Sequence, residues 1–207
     1  MTESRDHIVI FVRAPVLGQV KTRLASETGA ARALEIYRTM TEHVLTVVRS
    51  AGAQVIVSYT PADAGPLMRA WLGDEVGYEP QADGDLGARM AAVFASRSAI
   101  GADRVVIVGS DCPTITQETI TTALTALDGA DVVFGPALDG GYYLVAARTL
   151  HAGLFRAVPW SSTRTLEVSL ARAQEAGLRV ALLPPMRDID TIDDWRAYGE
   201  RLPPNPS

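Results

Sequence analysis

Residues 105–115 read VVIVGSDCPTI. Four β-branched residues run straight into Gly109, Ser110, Asp111, Cys112 and Pro113. A short apolar run without alternation is the pattern of a strand covered on both faces. Such strands belong to parallel sheets flanked by helices, and ligands bind beyond their carboxyl ends. Asp111 therefore has two readings. It orders the Pro113 turn and caps the next helix, as aspartate often does, or it holds a ligand at the end of the strand.

Working outward, the same punctuation recurs. Strands are expected at 8–12 (IVIFV), 54–59 (QVIVSY), 104–109, 131–137, 142–147 and 179–184, with a weaker extended piece at 76–81. Between them lie amphipathic stretches. Leu34, Tyr37, Thr41, Val44 and Val48 recur at helical spacing over 30–50. Further helices are expected at 63–72, after DGDLG with Leu86, Met90, Val93 and Phe94 on one face, and at 116–127 behind a Thr114 or Thr116 cap. The last two are 163–177, closed by Gly177, and the end of the segment 188–202, which begins with acidic residues and has Thr191 and Asp194 at capping-box spacing. The segment 14–24, APVLGQVKTRL, is expected to be a loop. Alternating buried strands and helices give the fold class: α/β, a mostly parallel central sheet with helices on both faces.

The composition narrows the function. The chain has 207 residues, 47% hydrophobic and 21% charged, with a formal net charge of −5. That fits one globular domain spanning 1–207, with a core at about 7–198 and a Pro-rich tail at 203–207. A nucleic-acid partner is disfavoured by the acidic balance. The N-terminal apolar run is too short to span a membrane. One cysteine, Cys112, permits no internal disulfide and points to a reducing, cytoplasmic setting. Oligomeric state is not legible in the pattern.

The residues that follow the strands divide by charge. One loop is basic, with Gly18, Lys21, Thr22 and Arg23. The others are mostly acidic: Asp83, Gly84, Asp85 and Gly87; Ser110 and Asp111; Asp139, Gly140 and Gly141; Asp188 and Asp190. Carboxylate oxygens suit a hard divalent cation, and phosphate oxygens complete its shell and meet Lys and Arg. Asp111, with Asp188 or Asp190, is thus a candidate Mg²⁺ or Mn²⁺ site facing a diphosphate. The plain alternatives are a solvated loop at GQVKTRL, a hairpin turn at DGG and simple packing for Trp160. There is no Walker or dinucleotide fingerprint, and the three histidines are scattered.

KTRL, GDLGARM, GSDCPTI, GPALDGGYYLVA, PWSS and DIDTIDD occur in this order across roughly residues 7–198. Together they resemble the bacterial family of GT-A-fold, nucleotide-diphospho-sugar-transferase-like proteins, formerly a domain of unknown function and commonly labelled glycosyltransferases. More distantly the chain is similar to 2-phospholactate guanylyltransferase and molybdenum-cofactor guanylyltransferase. The resemblance implies that the loops carrying Gly18, Lys21, Arg23, Asp85 and Gly87 hold the nucleotide, with Ser110 beside it. It implies that Asp111 takes the place of a metal-binding Asp-x-Asp element, with Asp188 or Asp190 completing the metal site. GSDCP has one aspartate where many glycosyltransferases have two.

The expected activity is metal-dependent transfer from an activated nucleotide to a small-molecule acceptor. Lys21 and Arg23 would neutralise charge on the leaving group, and Asp139 would orient the acceptor or act as its base. The family label favours glycosyl transfer from a nucleotide sugar and is taken first. The basic loop favours nucleotidyl transfer with release of pyrophosphate. A non-catalytic nucleotide-binding protein is the third reading.

Overall fold

The computed structural model describes residues 5–151 and 153–198. The tail at 203–207 and the expected end of the last helix, 199–202, lie outside the described residues.

Seven strands form one sheet: β1 (Asp6–Arg13), β2 (Gln54–Thr60), β3 (Gly77–Pro80), β4 (Arg104–Gly109), β5 (Val132–Pro136), β6 (Tyr142–Ala147) and β7 (Val180–Leu182). Their order is β3-β2-β1-β4-β6-β5-β7. β6 runs antiparallel to both neighbours, and every other adjacent pair is parallel. The carboxyl ends of β1, β2, β3, β4, β5 and β7 therefore share one edge. The helices are α1 (Thr22–Thr28), α2 (Ala30–Arg49), α3 (Gly65–Leu72), α4 (Leu86–Ala99), α5 (Gln117–Ala126), α6 (Thr165–Glu175) and α7 (Ile192–Tyr198).

The alternation of side chains along each strand builds two cores. Ile8, Ile10, Val12, Val106 and Val108 meet Tyr37, Val44 and Val48 of α2 and Ile120 and Ala123 of α5 on one face. Val9, Val105, Ile107, Phe134 and Val145 meet Met90, Val93 and Phe94 of α4 on the other. This explains the unbroken apolar runs, since neither side of the inner strands sees water. Among the described residues no helix is long and apolar enough to cross a membrane.

Segment 14–24 departs from expectation. Its end opens α1, a seven-residue helix that begins directly after Lys21. No Ser, Thr or Asp cap marks its start; Lys21 takes that place with left-handed dihedrals, φ 46° and ψ 51°. The helix is held by tertiary contact instead. Leu24, Ala33, Ile36, Met40, Ile189 and Trp195 form a third buried cluster that joins α1, α2 and α7. That cluster ties the basic loop to the late acidic segment. α7 starts where Thr191 and Asp194 predicted, with Thr191 Oγ1 and the Thr191 N–H donating to Asp194 Oδ2 and the Asp194 N–H donating to Thr191 Oγ1. Thr116 caps α5 in a reciprocal pair with Thr119. The DGG segment forms the β5–β6 turn, as its hairpin reading expected.

Gly87 stands in the first turn of α4, where a methyl group would lie 2.5 Å from Trp160 Cζ2 and 2.9 Å from the Phe155 carbonyl oxygen. Trp160 also meets Tyr142 edge-on at 6.4 Å between ring centroids. The glycine is a packing requirement for the indole. Gly87→Ala should therefore cost about 1–3 kcal/mol from overpacking, partly offset by better helix propensity. Gly129→Ala, where the added carbon meets nothing within 4 Å, serves as the control. Urea denaturation of the two variants checks this, and equal stability would contradict it.

Candidate active site

β1 ends at Arg13, and the chain loops through Gly18 to Lys21 before α1. The left-handed backbone at Lys21 turns its side chain inward, to 6% exposure. Its ammonium lies 2.8 Å from Asp190 Oδ1 and 3.2 Å from Asp111 Oδ1. Burial works against a charged lysine, yet the two carboxylates outweigh it and hold the Lys21 pKa above its ordinary value.

Asp111 follows the buried Ser110 off β4. Its partners arrive along a strand-like path. Met186 bridges Ala137, and the Ile189 N–H donates to the Asp111 carbonyl at 3.0 Å. This backbone lacing brings Asp188 and Asp190 beside Asp111, where all three line one cleft. Asp188 is pushed up to about 7, first by burial and then by the charges of Asp111 and Asp139. Burial and neighbouring carboxylates both favour the neutral acid, so a cation placed beside Asp188 would draw its proton off. The set is all hard oxygen, which suits Mg²⁺ or Mn²⁺. As they stand, no three His, Cys, Asp or Glu side chains among the described residues form a metal-ligating group. Lys21 holds the space between Asp111 and Asp190.

Two clefts meet here. The larger, about 630 Å³, is lined by Arg13, Lys21, Arg23, Tyr37, Thr60, Gln81 and Ser110, among others, at the ends of β1, β2, β3 and β4. The second, about 490 Å³, runs between Asp139, Tyr142, Asp188 and residues 161–163. Arg23, Asp111, Ser161 and Asp190 line both. Arg23 is 81% exposed, with its Nη1 3.8 Å from Asp190 Oδ2. Asp139 is exposed at the β5–β6 turn and accepts from the Gly141 N–H at 2.8 Å through Oδ1.

The expected site residues separate into two groups. Lys21, Arg23, Ser110, Asp111, Asp139, Asp188 and Asp190 come together at the two clefts. Gly18, Asp85 and Gly87 line neither. Gly18 makes a left-handed turn (φ 75°) with open space around it, Asp85 caps α4 by accepting from the Ala88 N–H at 2.8 Å, and Gly87 faces Trp160. Sequence reasoning missed Tyr37, Gln81 and Ser161. Tyr37 donates from its hydroxyl to the Arg13 carbonyl at 2.7 Å and accepts from the Arg13 N–H at 2.9 Å, fixing the cleft floor. Burial lifts its phenol to about 12. Its helical spacing marked it only as core. Gln81 is oriented by donation to the Ser58 carbonyl and by acceptance from Arg89. Ser161 is held at φ 58°, which no local sequence signal announces.

A mostly parallel sheet with a charged double cleft at its carboxyl edge defines a nucleotide-diphospho-sugar-transferase-like protein. The chain belongs to the family described as "Uncharacterized protein conserved in bacteria (DUF2064)", which it matches over residues 43–162. A crystal structure from Desulfovibrio desulfuricans G20, assigned as a nucleotide-diphospho-sugar transferase, is similar at 32% identity with a TM-score of 0.90. The match covers 96% of this chain and 88% of that one. A nucleotidyl transferase from Methanothermobacter is similar in fold at 21% identity and TM-score 0.61, over 93% and 94% of the two chains. Rv0371c of Mycobacterium tuberculosis, in a complex with manganese, is similar at 19% identity and TM-score 0.57, over 95% and 99%. No curated protein matches the chain.

The raised Asp188 pKa has a sign. A carboxyl that titrates near 7 when folded and near 4 when unfolded destabilises the fold progressively as pH rises through that interval. Asp188→Asn removes the penalty. The variant should gain stability over wild type at about pH 8 and much less at about pH 4.5. Denaturation at both pH values checks it, and an equal difference at the two would contradict a carboxyl raised by burial and by its acidic neighbours.

Proposed function

We propose that the protein is a metal-dependent transferase that takes an activated nucleotide in the larger cleft and a small-molecule acceptor in the second. The observation that supports this is the junction: Arg23, Asp111, Ser161 and Asp190 line both clefts, so a donor's reactive group and an acceptor can meet there. Arg13, Lys21 and Arg23 in the donor wall supply charge-assisted contacts to a phosphate chain. Asp111 and Asp190, with Asp188 beside them, are the residues that would hold Mg²⁺ or Mn²⁺. When bound, that ion would neutralise charge on phosphate oxygens. Ser110, buried beneath the junction, lines the donor cleft. Asp139 sits in the acceptor cleft alone and serves to orient an acceptor hydroxyl or take its proton.

The cationic donor wall favours nucleotidyl transfer over the glycosyl transfer that the family label puts first. An acceptor oxygen attacks the α-phosphorus of a nucleoside triphosphate, the bond to the β-phosphate breaks, and pyrophosphate leaves with its charge met by Lys21 and Arg23. Glycosyl transfer from a nucleotide sugar is the second reading, supported by the assignment of the 32%-identical relative. The single buried cysteine suits a cytoplasmic setting for either reaction.

A thermal-shift panel tests the proposal: wild type with Mn²⁺ against nucleosides, nucleoside triphosphates, diphosphates and nucleotide sugars. We expect a metal-dependent rise for one base series, largest for the triphosphate. A larger rise with a nucleotide sugar selects glycosyl transfer. Arg23→Ala should weaken phosphorylated ligands about tenfold and leave the nucleoside unchanged. Equal weakening of both would refute the phosphate role, and no shift from any nucleotide would refute the function.

A further inference from the structure

Lys21 stands where the cation of the proposed site would stand. Its ammonium bridges Asp111 Oδ1 and Asp190 Oδ1 at 3.2 and 2.8 Å, with 6% of the side chain exposed. The backbone that puts it there is in the left-handed region, which a lysine without a reason avoids. The third cluster closes the loop over this arrangement, because Leu24 lies three residues after Lys21 and Ile189 one residue before Asp190. One of the two carboxylate charges is thus already met from within the chain, by an ammonium that both carboxylates share. Bare Mg²⁺ or Mn²⁺ entering between them would meet a buried ammonium a few ångströms away. At that separation the two positive charges repel even in a well-screened site.

The same lysine also lines the donor cleft beside Arg13 and Arg23. A phosphate chain in that cleft offers the ammonium a second set of anionic oxygens. We infer that Lys21 is an internal stand-in for the metal: the free protein holds its carboxylates closed with the ammonium, takes up bare divalent cation weakly, and accepts the cation as a metal–phosphate complex whose phosphates draw Lys21 away. Metal and phosphate chain then favour each other's binding, as linkage requires. This rests on the proposed nucleotide site and specifies its ligand as the metal–nucleotide complex. Free cation is the disfavoured entering species.

The test uses Mn²⁺ alone, with no nucleotide, and counts free Mn²⁺ by electron paramagnetic resonance. Wild type is compared with Lys21→Met, which removes the charge and keeps the length of the chain. If Lys21→Met does not fold, Lys21→Gln makes the same comparison. The account predicts weak binding by wild type and binding about tenfold tighter or more by the variant, and loss of that gain when Asp111→Asn is added. A variant that binds Mn²⁺ no better than wild type overturns the inference, and so does tight binding by wild type. The second outcome leaves the metal site itself intact. Failure of the proposed function is read separately, as the absence of any metal-dependent nucleotide shift in wild type.

Discussion

One buried ammonium organises this molecule's active edge. Lys21 carries its charge out of water only because Asp111 and Asp190 receive it. Removing a partner from such an arrangement leaves a buried charge uncompensated, which costs far more than the pair is worth. The loop after β1, the end of β4 and the segment before α7 are thereby obliged to stay together. These pieces lie far apart in sequence, and the rest of the edge is arranged around their meeting point.

The scaffold meets that demand with ordinary apolar packing. The two large cores hold the strands, and the small cluster of Leu24, Ala33, Ile36, Met40, Ile189 and Trp195 holds the loops. It places apolar residues next in line to the charged ones: Leu24 after Lys21 and Arg23, Ile189 between Asp188 and Asp190. Alternation along a short segment sends one side chain into the cluster and its neighbours toward the cleft. On the opposite side, the β5–β6 turn is pinned to the loop before α6. A methyl group on Gly140 would lie 2.1 Å from the Thr163 carbonyl oxygen, and the Leu166 N–H donates to the Gly140 carbonyl at 2.9 Å. Asp139 and Ser161, on the two segments so joined, both line the second cleft.

Much of this was legible in the chain. VVIVG followed by Ser110 and Asp111 announced both the buried parallel strand and a carboxylate at its cleft end, because burial on two faces and termination by a carboxylate are local properties. The acidic loops and the KTRL loop were placed at the carboxyl edge by the same rule. The antiparallel run of β6 was not assigned, although the DGG turn implies it. α1 was invisible, since its start has no capping residue and its stability comes from α2 and α7. Asp85 and Gly87 were expected beside the nucleotide because they follow a strand at the carboxyl edge; in the structure Asp85 caps α4, Gly87 packs against Trp160, and neither lines the two clefts. Lys21 was expected to meet phosphate, and its pairing with Asp111 and Asp190 depends on a packing of remote segments that no spacing rule encodes.

The most direct test of the account is a crystal grown with Mn²⁺ and the nucleotide that stabilises the protein best, with the metal located by its anomalous scattering. The account predicts a manganese peak contacting Asp111 and Asp190, phosphates against Arg13 and Arg23, and the Lys21 ammonium displaced from both carboxylates onto a phosphate oxygen. A nucleotide bound outside the larger cleft, or a manganese peak remote from Asp111, would contradict it.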